Sequence, residues 1–216
     1  MKKAVFFDLD GTLTDPGEGI TNSAAYAIRC FGLDVATREE LYSFIGPPLD
    51  RSFMDFCGFD QESAVLAVKY YRDYYAEHGI FENTLFDGVS ELLCALKENG
   101  KTVVLATSKP EHYARIILEH FGIDKYFDFI CGGSMDEKRN KKEEIIEYAL
   151  DTSGIAPEDA VMVGDRLYDI EGAKANGLMS VGVLFGYGDR AELEGAGADM
   201  IAADMAELEK ILFEEI

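Results

Sequence analysis

The sequence predicts an α/β fold, a parallel sheet with helices on both faces, carrying an inserted all-helical segment. Three observations predict it. Short apolar, β-branched or aromatic runs alternate with segments of helical period along most of the chain. Those runs are almost continuously apolar, as strands buried on both faces require. Between Asp15 and Phe81 the alternation lapses and only helical spacing is left. A chain of 216 residues with a 48% hydrophobic share can fill one large core, or a core plus a smaller insert.

The first strand is expected over Ala4–Asp8. The insert follows, with Ile20, Ala24, Ala27, Ile28 and Phe31 on one helical face. Thr37 and Glu40 resemble a capping box before Leu41, Phe44 and Ile45. Gly46-Pro47-Pro48 interrupts the helical pattern, because two successive prolines cannot continue a helix. A further helix is expected from near Asp60 to His78-Gly79. After the insert, Val89, Leu92, Leu93 and Leu96 form a stripe that Asn99-Gly100 stops. Strand Thr102–Thr107 leads to a helix with Pro110 in its first turn, continued by Tyr113, Ile116, Ile117 and Phe121 and ended by Gly122. Further strands are expected over Phe127–Cys131, Ala160–Gly164, Ser180–Phe185 and Asp199–Ala202. Asp204 with Glu207 begins the last helix. The boundaries implied are an α/β core of 1–14 and 82–216 and an insert of 15–81.

Charge narrows the partners. With 41 acidic and 20 basic residues the formal charge is −21, which repels phosphate backbones and anionic headgroups. No nucleic-acid or membrane partner is expected. No apolar run approaches the ~20 residues that span a bilayer, and the apolar stretch after Lys2-Lys3 is too short for a signal peptide. Cys30, Cys57, Cys94 and Cys131 lie far apart, which suits reduced thiols in a cytoplasmic protein. All four are expected as small core hydrophobes. His78, His112 and His120 make no cluster at zinc spacing.

Four clusters carry chemistry, and each falls at the carboxyl end of an expected strand. Asp8-Leu9-Asp10-Gly11-Thr12 follows the first. Residues two apart leave a strand on the same side, so Asp8 and Asp10 can direct two carboxylates into one pocket, whose repulsion a hard divalent cation relieves. Thr107-Ser108-Lys109 offers a hydroxyl and backbone N–H groups at an expected helix N-terminus, suited to a phosphate oxygen. Arg139, Lys141 and Lys142 stand out as basic just before the helical stripe Ile145, Ile146, Ala149 and Leu150. Asp165 and Asp169 end the run Val163–Asp169 and could either hold a metal or simply cap the helix Ile170–Asn176. In an open parallel sheet the strand ends share one rim, where ligands bind.

In this order the four clusters resemble those of the haloacid dehalogenase superfamily of phosphotransferases, over essentially the whole chain. The resemblance implies a Rossmann-like core with a small helical cap formed by residues 15–81. It implies Asp8 as the nucleophile that forms an aspartyl-phosphate, Asp10 as the general acid/base, Thr107 and Ser108 as phosphate-binding residues and Lys142 as the charge-neutralising lysine. Mg²⁺ is the implied cofactor, held by Asp8, Asp165, Asp169 and the backbone carbonyl of Asp10. Lys142 is chosen over Lys141 because it follows Arg139 by three residues. Phe44-Ile45-Gly46-Pro47-Pro48-Leu49 with Arg51, the segment Gly164–Gly177 and Gly186-Tyr187-Gly188 are similar to phosphoglycolate phosphatases, and most to the branch described as 5'-nucleotidases. The loop Gly46–Arg51 is expected to face the pocket and Arg51 to touch substrate, a small phosphorylated metabolite.

Rival readings are a mutase of sugar phosphates and a non-catalytic phospho-acceptor module. Dehalogenating members lack the second aspartate, so Asp10 argues against that activity. Lys69 is the only lysine of the insert available for phosphonate chemistry, and it lies within a tyrosine-rich helix. A monomer or homodimer is expected.

Overall fold

The computed structural model describes residues 2–35, 37–136 and 138–216. In chain order its elements are β1 (Ala4–Phe7), β2 (Thr14–Asp15), α1 (Gly17–Cys30), α2 (Leu49–Cys57), α3 (Gln61–Tyr74), β3 (Thr84–Leu85), α4 (Val89–Glu98), β4 (Thr102–Pro110) and α5 (Glu111–His120). Then come β5 (Phe129–Gly133), α6 (Lys142–Ser153), β6 (Ala160–Gly164), α7 (Leu167–Ala175), β7 (Met179–Val183), α8 (Arg190–Ala196), β8 (Met200–Ala202) and α9 (Met205–Lys210). The chain divides into two compact units, Met1–Thr14 with Leu85–Ile216, and Asp15–Thr84. It leaves the first unit through β2 and returns through β3, and these two short strands pair.

The first unit is built on a six-stranded parallel sheet in the order β5-β4-β1-β6-β7-β8. β1 is central, with Phe7 aligned to Leu105 of β4 and to Val163 of β6. Every residue of β1 and β6 is buried, so both faces of the sheet are covered. Ala4, Phe6, Val104, Ala106, Ala160 and Met162 pack on Ile145, Ile146 and Ala149 of α6 and Ala173 of α7. Right-handed crossovers place α4 and α5, on connections running one way from β1, on the opposite face. Helices α4 and α7, which belong to the connections leaving β1 and β6, therefore lie on opposite faces. The crevice between the carboxyl ends of those two strands is the switch point of the sheet.

The expected strands all exist, with ends displaced by at most three residues. β4 differs most: it runs on to Pro110, with a register irregularity between Thr107 and Pro110. Pro110 is thus the residue before α5 and not part of its first turn. The chain around Ser108 and Lys109 is extended, so the hydroxyl and N–H groups of this segment stand at the end of β4, ahead of the first turn of α5.

The second unit is helical apart from the ends of its ribbon. Ile20, Ala24, Ala27 and Ile28 of α1 are buried, and α3 begins at Asp60, whose carboxylate accepts the Ser63 N–H at 2.9 Å. Phe44, Phe53, Phe56 and Phe59 form an aromatic cluster beneath α2. The expected capping box at Thr37 is absent. A 3-10 turn starts at Glu39 with no side-chain cap, since six residues ending at Phe44 before Gly46-Pro47-Pro48 leave no length for a full helix. The cysteine expectation also fails in part. Cys131 is buried, but Cys30 is exposed and Cys57 and Cys94 are half-buried, because their helices turn those positions away from the core stripe.

Candidate active site

Asp8 and Asp10 leave the carboxyl end of β1, and Asp165 and Asp169 follow β6, so the switch point carries four carboxylates. Asp165 and Asp169 are fully buried and Asp8 nearly so. Asp8, Asp165 and Asp169 each offer an oxygen within 4.8 Å of the others. Lys142, the first residue of α6, reaches into this group. Its Nζ lies 2.8 Å from Asp8 Oδ1 and 2.8 Å from Asp169 Oδ1, and donates to the Ala106 carbonyl at 3.2 Å. Burial works against the Lys142 charge, but Asp169 and Asp8 more than offset it and raise its pKa. Lys141 is not the residue drawn in; it precedes α6, and its backbone N–H donates to Glu144.

The local backbone is shaped for close approach. Gly11 adopts φ +84°, and a Cβ there would strike the Asp165 carboxylate. A Cβ on Gly186 would strike the Gly11 carbonyl and Asp165, while one on Gly164 would strike Asp169. Asp165 is held from two sides. Tyr187 N–H donates to its Oδ2 at 2.8 Å and the Thr12 hydroxyl to its Oδ1 at 3.3 Å. Asp169 works twice: its Oδ2 accepts the Arg166 N–H at 3.1 Å, capping α7, while Oδ1 faces Lys142. The metal-site and helix-cap readings of Asp169 are therefore compatible.

Thr107 is buried at the far end of β4, and its hydroxyl accepts the Lys109 N–H at 3.2 Å. Ser108 is half-buried beside it. Lys109, which the sequence reading left without a role of its own, places Nζ 2.5 Å from Asp10 Oδ2. Arg51 lies not in the Gly46–Pro48 turn but in the first turns of α2. It is exposed there and paired with Asp55 at 2.8 Å.

Thr12 and the Tyr187 N–H were also missed. Thr12 could have been found from its place four residues after Asp8. A backbone donor leaves no trace in residue type.

The arrangement fits a divalent cation. The donors are hard carboxylate oxygens of the kind Mg²⁺ takes. Four carboxylates against the two ammonium groups of Lys109 and Lys142 leave a deficit of two positive charges. Burial, followed by the charges of Asp169 and Asp8, pushes the Asp165 carboxyl up to about 8. Asp169 is raised by burial against the pull of Lys142. A bound dication removes that penalty.

Two carboxylates two residues apart, a buried lysine and a group of three carboxylates able to hold a cation gather at the switch point of a parallel sheet, and the similar proteins put the chain in the phosphatase class. The haloacid dehalogenase-like hydrolase family matches residues 5–183, and the chain belongs to it. A 5'-nucleotidase of Pseudomonas aeruginosa is 45% identical over 208 residues, covering 96% of this chain and 94% of its own. The tyrosine-protein kinase PtkA of Mycobacterium tuberculosis is 41% identical over 185 residues, 85% of this chain and 62% of its own. The crystal structure of a predicted phosphatase from Clostridium acetobutylicum matches with a TM-score of 0.94 at 47% identity, over 99% of both chains.

Proposed function

We propose that this phosphatase is Mg²⁺-dependent and hydrolyses small phosphate monoesters of the 5'-nucleotide or phosphoglycolate type, through an aspartyl-phosphate on Asp8. The observation that carries the reading is the contact of one buried lysine, Lys142, with both Asp8 and Asp169, beside Asp165. Similarity to the P. aeruginosa 5'-nucleotidase along nearly the whole chain supports the nucleotide alternative.

An Asp8 carboxylate oxygen attacks phosphorus and the ester P–O bond breaks, while the Asp10 carboxyl gives its proton to the departing alkoxide. Asp10, now a carboxylate, takes a proton from water. The hydroxide oxygen bonds to phosphorus, the P–O bond to Asp8 breaks, and inorganic phosphate leaves with Asp8 restored. Lys142 and the Thr107 and Ser108 segment would hold the phosphoryl oxygens. Asp8, Asp165, Asp169 and the Asp10 carbonyl would hold Mg²⁺, which supplies charge neutralisation for a nucleophile and substrate of the same sign.

The helical unit is read as the cap and Arg51 as a substrate contact; Arg51→Ala with unaltered kcat and KM on every substrate removes that part. Unpaired cysteines support a cytoplasmic location. Among the described residues, no helix is long and apolar enough to cross a membrane.

A phosphate-release screen over 5'-nucleotides, phosphoglycolate and sugar phosphates, with and without Mg²⁺, tests the proposal. The expected result is metal-dependent release that Asp8→Asn abolishes. Isomerisation of a sugar phosphate without net release would identify a mutase instead. Undiminished turnover by Asp8→Asn would end the covalent reading.

A further inference from the structure

We infer that Lys109 is a positioning residue for Asp10, setting the rotation of its carboxyl. This rests on the proposed phosphoryl-transfer reading. The pair is not a surface accident: the side chains of Lys109 and Asp10 are 7% and 21% exposed, and their atoms are 2.5 Å apart. An ammonium group withdrawn from water to that degree is tolerated only against a well-placed partner.

The backbone around Lys109 is arranged to allow it. β4 neighbours β1, and between Thr107 and Pro110 it departs from regular pairing with β5. The facing residues of β5 are Gly132 and Gly133. A Cβ on Gly132 would press on the Lys109 carbonyl and on Glu111, and one on Gly133 on the Ser108 carbonyl. Two residues without side chains thus make room for the displaced segment, and the Lys109 N–H is tied to the Thr107 hydroxyl.

The chemistry explains what the pair is for. Asp10 has to deliver a proton to one oxygen and later collect one from another, both close to the same phosphorus. A carboxyl turning about its Cβ–Cγ bond would spend much of its time misaligned, and small misplacements of a catalytic group are costly. Lys109 holds Oδ2. Oδ1 is buried and has no hydrogen-bond partner among the described residues, so the contact at Oδ2 is what sets the rotation of the carboxyl. The two lysines divide the work: Lys142 serves Asp8 and Asp169, and Lys109 serves Asp10.

A double-mutant cycle on the full chain with Mg²⁺ tests this, using Lys109→Met, Asp10→Asn and the pair of substitutions, with phenyl phosphate and p-nitrophenyl phosphate as substrates. Lys109→Met should lower kcat on phenyl phosphate by about 10- to 100-fold, a part of what general acid–base catalysis supplies. KM and inhibition by inorganic phosphate should stay within about two-fold. The loss should be smaller on p-nitrophenyl phosphate, whose leaving group needs less help. In the Asp10→Asn background, Lys109→Met should change kcat by less than about two-fold, because groups acting as a unit are not additive.

Lys109→Arg, which keeps the cation, should recover part of the activity, and it runs the same cycle should the Met variant not fold. Losses that multiply in the double variant would overturn the inference. So would a raised KM with unchanged kcat, which would make Lys109 a phosphate contact. Either leaves the covalent reading standing, whereas turnover by Asp8→Asn defeats that reading whatever the cycle returns.

Discussion

Lys142 keeps its charge inside the protein because Asp8 and Asp169 face it, so its removal strands buried carboxylates. Lys142→Met should destabilise the metal-free protein by about 3–5 kcal/mol, the usual cost of breaking a buried pair from one side. Urea denaturation in chelator measures it, and a change under about 1 kcal/mol would show that the pair is not held as described. The cysteines offer a second check. Burial, ahead of the Glu111 charge, pushes the Cys131 thiol up to about 11, so at pH 8 it is both protonated and covered. Iodoacetamide should label Cys30 in the native protein and leave Cys131 unmodified until denaturant is added, as read by peptide mass spectrometry. At this scale the sequence discloses the four aspartates and Thr107, because each ends or follows an apolar run, and Lys142 through its place three residues after Arg139 in the family resemblance. Lys109 is hidden because its direction depends on a break in strand register that residue type does not announce.

Helix α7 shows how an element and a site share one residue. Asp169 caps its N-terminus through Oδ2, an arrangement in which an amide oxygen can replace a carboxylate oxygen. Asp169→Asn and Asp169→Ala both remove the charge facing Lys142, but only the alanine removes the cap. The alanine variant should therefore be less stable than the asparagine variant by about 1 kcal/mol, measurable by thermal melting, while both lose activity. The strands were legible because they are continuous apolar runs that only a doubly covered sheet can accommodate. Their ends were less so. Ala160–Gly164 matches the expectation residue for residue, but β4 continues three residues past Thr107. Pairing of Pro110 with Gly133 extends it, a long-range event that local propensity does not encode. Thr37 and Glu40 have the residues of a capping box without the helix to cap.

For the molecule as a whole, the site is a source of instability that the reaction requires. Asp165 is buried, close to two other carboxylates, and raised to about 8 for those reasons. Mg²⁺ that binds the native state alone should raise the melting temperature, by an amount equivalent to about 2.7 kcal/mol at a hundredfold excess over its Kd. Asp165→Asn should melt higher than the parent protein in chelator and respond weakly to added Mg²⁺. Equal melting temperatures for parent and variant in chelator would show that the buried carboxylate carries no such penalty. The ribbon of β2 and β3 has a consequence of another kind. Because Thr14–Asp15 and Thr84–Leu85 lie side by side as paired strands, the point of departure and the point of re-entry of the helical excursion coincide. A graft of different length or architecture could be spliced between them without moving a single rung of the parallel ladder.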